Sequence, residues 1–82
     1  MKFGEYARKL RRKAGLSQND VAKILGLQSG QMVSDFERGL CFPPLRKLDL
    51  LAEAYRTPLK IVFNRMYEEK RERDWKIAVS VR

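Results

Sequence analysis

Apolar residues Phe3, Tyr6, Ala7, Leu10 and Ala14 recur at three- and four-residue steps, with Lys and Arg filling the other side. That spacing predicts an amphipathic helix, and Gly15 stands where a helix C-terminus takes a glycine. Ser17 offers an N-cap oxygen with Asp20 three residues on, opening a second helix through Val21, Ala22, Ile24 and Leu25 to Gly26. After the turn Leu27-Gln28-Ser29-Gly30, Ser29 is expected to cap a third helix through Glu37, with Val33 and Phe36 inward and Gln31, Met32, Ser34 and Asp35 outward. Pro44 opens a fourth helix of Leu45, Leu48, Leu51, Ala52 and Tyr55. Thr57-Pro58 opens a fifth with Leu59, Val62, Phe63 and Met66.

Past Tyr67 the pattern changes. Residues 68–74 are charged, with opposite signs three or four apart, as on a solvated helix face. Trp75, Ile77, Val79 and Val81 then alternate with smaller or polar residues, a period of two that predicts a strand. Eight residues cannot hold a sheet alone. They pair with a second copy across a two-fold axis, dock on the helical body, or await a partner protein. The first is the expectation.

Composition narrows the class. Eighty-two residues suffice for one domain. One cysteine, Cys41, and no histidine leave no disulfide framework and remove the commonest ligands and bases of zinc, haem and acid–base chemistry. No metal, cofactor or catalytic site is expected, so the chain reads as a binding protein and not an enzyme. No apolar run approaches a membrane span, and the first five residues lack the apolar core of a signal peptide, so a cytoplasmic setting is expected. The net charge of +8 is uneven. Residues 1–16 carry +5 and 59–82 carry +3, around a nearly neutral middle. Basic flanks around a neutral element suit nucleic acid, although acidic proteins and anionic membranes attract the same surface.

The ordered set Leu10-Arg11, Gly15-Leu16-Ser17-Gln18, Val21-Ala22, Leu25-Gly26, Val33-Ser34 and Phe36-Glu37-Arg38-Gly39 resembles the helix-turn-helix of the phage-repressor/Cro-type (XRE) family. Pro44, Leu45, Leu48, Leu51-Ala52, Tyr55 and Pro58-Leu59 extend the likeness to roughly residues 3–63. The resemblance implies a five-helix all-α domain that binds double-stranded operator DNA as a homodimer and regulates transcription. It also implies a structural staple between Arg11 and Glu37, and phosphate contact by Gln18.

Under that alignment Gln31 is the leading base reader, because a carboxamide pairs with adenine N6 and N7, and Asp35 is a candidate acceptor from cytosine N4. The turn is one residue longer than the family's usual one, so Gln28 and Ser29 stand as alternative first contacts. Ser34, Arg38, Arg46 and Lys47 are phosphate candidates.

The expected architecture is thus an all-α, five-helix repressor-like domain over residues 1–66, followed by a charged helix end and short C-terminal β-strand over 67–82. Trp75, Ile77, Val79 and Val81 would form its dimerisation face. The expected function is a homodimeric repressor or autoregulator. The alternative is an antitoxin-type interaction module whose tail binds a partner protein.

Overall fold

The computed structural model describes the backbone of residues 1–80 and the side chains of residues 1–74. Five helices follow in order: α1 (Phe3–Lys13), α2 (Gln18–Ile24), α3 (Gln31–Glu37), α4 (Leu48–Ala54) and α5 (Leu59–Ser80), with a 3₁₀ turn at Leu45–Lys47 before α4. α1 packs on α3 and α5, and α4 packs on α2 and α5. Their inward stripes meet in one core of Phe3, Ala7, Val21, Ala22, Leu25, Val33, Phe36, Leu48, Leu51, Ala52, Tyr55, Val62 and Met66.

Local signals set the helix ends. Ser17 Oγ accepts the Asp20 N–H at 3.0 Å and Asp20 Oδ2 accepts the Ser17 N–H at 2.9 Å, a closed capping box at the start of α2. α1 through α4 all terminate with the same paired bonds, an N–H reaching five residues back and its predecessor reaching three: Leu16 to Arg11 with Gly15 to Arg12, and Thr57 to Ala52 with Arg56 to Glu53, mark the first and the last. This closure needs a left-handed residue. Glycine supplies it at 15, 26 and 39, but at the end of α4 Arg56 adopts φ 52°.

Gly4 fulfils a different requirement, close approach. A Cβ there would lie 2.5 Å from the Glu37 carbonyl oxygen and 2.6 Å from that of Phe36, so α1 touches the end of α3 backbone to backbone.

The expected C-terminal strand is not present: residues 75–80, with Trp75, Ile77 and Val79, continue α5, and no strand occurs among the described residues. Val81 lies outside the described residues. The segment inherits a helix already nucleated at Leu59, and each added residue gains a hydrogen bond for one residue fixed. Opposite charges upstream support that course, with Glu69 and Arg73 3.7 Å apart at i,i+4. A single chain offers a strand no partner for its backbone, whereas the helix satisfies those groups itself. Four alternating residues do not outweigh that.

Two smaller expectations also shift. Gly30, not Ser29, is the residue preceding α3, although Ser29 Oγ accepts the Gln31 N–H at 3.3 Å. Pro44 precedes the 3₁₀ turn and α4 itself begins at Leu48. Thr57 Oγ1 donates back to the Tyr55 carbonyl at 3.0 Å.

α5 is 22 residues long, about 33 Å, and at Arg73 it passes beside the loop after α3. There Arg73 Nη2 donates to the Gly39 carbonyl at 3.3 Å, and the guanidinium lies 4.7 Å from the centre of the Phe42 ring. On another side of α5, two adjoining grooves share Leu45 and Phe63, and Leu45, Leu59 and Tyr67 are exposed along them.

Candidate nucleic-acid interface

Arg11 and Glu37, the expected staple residues, are brought together. Arg11 Nε and Nη2 donate to Glu37 Oε2 and Oε1 at 2.7 and 3.1 Å, both side chains being nearly closed to solvent. Arg11 Nη1 adds a bond to the Leu16 carbonyl at 2.9 Å, and Gln18 Nε2 donates to Glu37 Oε1 at 3.1 Å. One carboxylate at the end of α3 therefore ties in α1 and the start of α2. The hydrogen bond to Glu37 raises the Arg11 pKa against the opposing effect of burial, so the guanidinium stays charged. Beside it, the buried Tyr55 hydroxyl has no hydrogen-bond partner among the described residues. Burial first, then the Glu37 charge, push its pKa up, and Arg11 opposes them.

Gly30 brings the start of α3 against α2, for a Cβ there would lie 2.8 Å from Asn19 Oδ1 and 3.3 Å from Gln18 Cβ. With α3 fixed at both ends and Val33 and Phe36 buried, its opposite face is displayed. Gln28, Ser29, Gln31 and Met32 are exposed, and Ser34 and Asp35 are half-buried. Gln31 Nε2 and Arg38 Nη2 both donate to Asp35 Oδ1, each at 2.8 Å. The carboxylate suggested as a reader is thus already engaged within α3. An exposed turn of carboxamide, hydroxyl and thioether side chains, on a helix held rigidly from behind, has the donor, acceptor and apolar groups that base edges require.

The cations divide. Arg46 is exposed on the 3₁₀ turn, Arg38 is exposed but paired with Asp35, and Lys47 is half-buried with its Nζ 2.6 Å from the Leu25 carbonyl. Lys47 thereby caps the C-terminus of α2. Gln18 is half-buried against Glu37. Met32, expected on the outward face of α3, is exposed there but had no contact assigned to it, being an apolar residue on a polar helix face. Cys41, the one thiol, is held protonated by burial and then by the Asp35 charge, which disfavours its use as a nucleophile. No helix among the described residues is long and apolar enough to cross a membrane.

Residues 2–60, α1 through the first residues of α5, match the family described as helix-turn-helix domain. A search of curated proteins gave no match. Domains of this kind typically bind DNA and are typically non-enzymatic, which supports DNA as a partner and transcription regulation as a role. The match covers well over half of the chain, and the chain belongs to the helix-turn-helix domain family.

Proposed function

We propose that this protein is a sequence-specific regulator of the phage-repressor/Cro type, a homodimeric repressor or autoregulator that reads operator half-sites with α3. The observation that carries the proposal is the exposed face of Gln28, Ser29, Gln31 and Met32 on a helix braced by the buried Arg11–Glu37 pair. Gln31 is the principal base reader, and Arg46 and the donor groups around Gln18 and Ser34 address phosphates.

Two half-sites about one helical turn (~34 Å) apart require two linked recognition helices. Strand pairing is no longer available for that linkage. The grooves around Leu45, Leu59, Phe63 and Tyr67 favour a second copy meeting α5 instead, since the exposed Leu45, Leu59 and Tyr67 line them around the half-buried Phe63. If this surface serves a different protein, as in an antitoxin-type module, the isolated chain sediments as a monomer and Leu59→Asp leaves its mass unchanged. A homodimer dissociates on the same substitution and loses cooperative operator binding.

The direct test is duplex binding against salt. Two subunits neutralising ~6–10 phosphates lose about 10³–10⁵ in affinity between roughly 50 and 200 mM salt. Selection from a randomised duplex library should return an inverted repeat. Equal affinity for all sequences reduces the protein to a generic basic DNA binder.

A further inference from the structure

Asp35 is a poor choice for direct contact with DNA. Its charge is repelled by phosphates, and one of its oxygens already accepts two donors, Gln31 Nε2 from four residues before it and Arg38 Nη2 from three residues after, each at 2.8 Å. We propose that Asp35 is a positioning residue that locks the Gln31 carboxamide in one of its two flipped orientations, and so makes the helix select adenine over guanine. The proposal rests on α3 being the DNA-reading helix.

The chemistry follows from counting donors and acceptors. A carboxamide turned the other way would set Gln31 Oε1 against Asp35 Oδ1, acceptor facing acceptor. In the orientation observed, one N–H of Nε2 is consumed by Asp35. One N–H and the oxygen Oε1 remain for a ligand. Adenine presents an acceptor, N7, beside a donor, N6–H₂, and matches that remaining pair. Guanine presents two acceptors, N7 and O6, and finds only one donor. Arg38 neutralises the carboxylate that performs the locking, which limits the repulsion it would otherwise exert on phosphates.

The test uses the full chain and a half-site library randomised at every position, comparing wild type with Gln31→Ala, Asp35→Ala and Asp35→Asn. Wild type should prefer adenine at one position by about 10-fold or more. Gln31→Ala and Asp35→Ala should both flatten that same position, while affinity of Asp35→Ala for unrelated duplex is unchanged or raised. Asp35→Asn should keep the adenine preference, because both donors share Oδ1 and a carboxamide oxygen can receive them in the same place. Circular dichroism should give the same helix content for all four. Asp35→Ala losing preference at a different position, with the Gln31 position intact, would make Asp35 a direct reader and overturn the proposal. So would an unaltered Asp35→Ala profile. A Gln31→Ala profile identical to wild type overturns the assignment of the reading face itself, and the proposal with it.

Discussion

Arg11 and Glu37, 26 residues apart, meet in a two-pronged ion pair whose carboxylate is almost wholly withdrawn from water. The pair fixes the end of α3 to α1, and through Gln18 to α2, so the orientation of the exposed helix face depends on a buried polar contact.

Removing either partner strands the other. Arg11→Ala or Glu37→Ala should cost ~3–5 kcal/mol, measured as the shift in a urea midpoint. The double replacement Arg11→Met with Glu37→Leu should cost less than the two alanine variants summed, since neither charge is left buried alone. A cost below ~1 kcal/mol for Glu37→Ala would place the pair among ordinary surface bridges.

Gly4→Ala tests the contact between α1 and α3. The new methyl meets the carbonyl oxygens of Phe36 and Glu37, and backbone cannot swing aside as a side chain can. The expected net cost is ~1–3 kcal/mol despite alanine's higher helix propensity. A gain in melting temperature would mean the helices separate more easily than their packing implies.

Arg56→Gly should do the reverse. The left-handed backbone at the end of α4 is strained for arginine and open to glycine, so stability should rise by about 1 kcal/mol. Thermal melts of the two chains decide it, and a lower melting point for the glycine variant would show that the arginine side chain supplies more than its backbone strain removes.

The capping box gives a pH dependence. The Asp20 carboxyl is held below the usual range, first by the hydrogen bond from the Ser17 backbone and then by that with its side chain. A lowered folded-state pKa contributes stability above the unfolded value, near 3.9, and loses it as pH falls through the folded value. Asp20→Ala should therefore melt below wild type at pH 7, with the gap narrowing as pH drops below about 4. A gap independent of pH would assign the effect to helix packing instead.

Arg46 and Lys47 are neighbours with separable roles. Arg46→Ala should weaken binding to all sequences about equally and reduce the salt slope by roughly one per subunit, about two for the dimer. Lys47→Ala should chiefly lower the melting temperature, by removing the bond from Nζ to the Leu25 carbonyl. A reduced salt slope without loss of stability for Lys47→Ala would put its amine on a phosphate.

Much of this fold is legible along the chain because its signals are local. Ser17 with Asp20 and the stripes through Val21, Val33 and Leu48 each declare themselves within a few residues. The staple was legible only through family resemblance, because 26 residues separate its charges. Gly4 was missed because close approach is a property of two helices and leaves no mark beyond a glycine in an amphipathic pattern. The alternation around Trp75 favours a strand only in isolation, and residues 75–80 instead continue the helix that leads into them. The Asp35 bonds needed coordinates, since spacing of three and four along a helix permits a pairing without deciding it.

Val62 and Met66 lie on the buried side of α5, and Arg73, two turns beyond Met66, reaches Gly39 and Phe42 from that same side. The stretch of α5 from Met66 to Arg73 is consequently phase-locked to the core. One residue inserted between 66 and 73 would rotate Arg73 by about 100° and carry its guanidinium off the loop behind α3. A whole added turn would restore the phase but carry Arg73 about 5.4 Å along the axis, so a chimera that exchanges the extension must keep the count from Met66 even where it changes every side chain between.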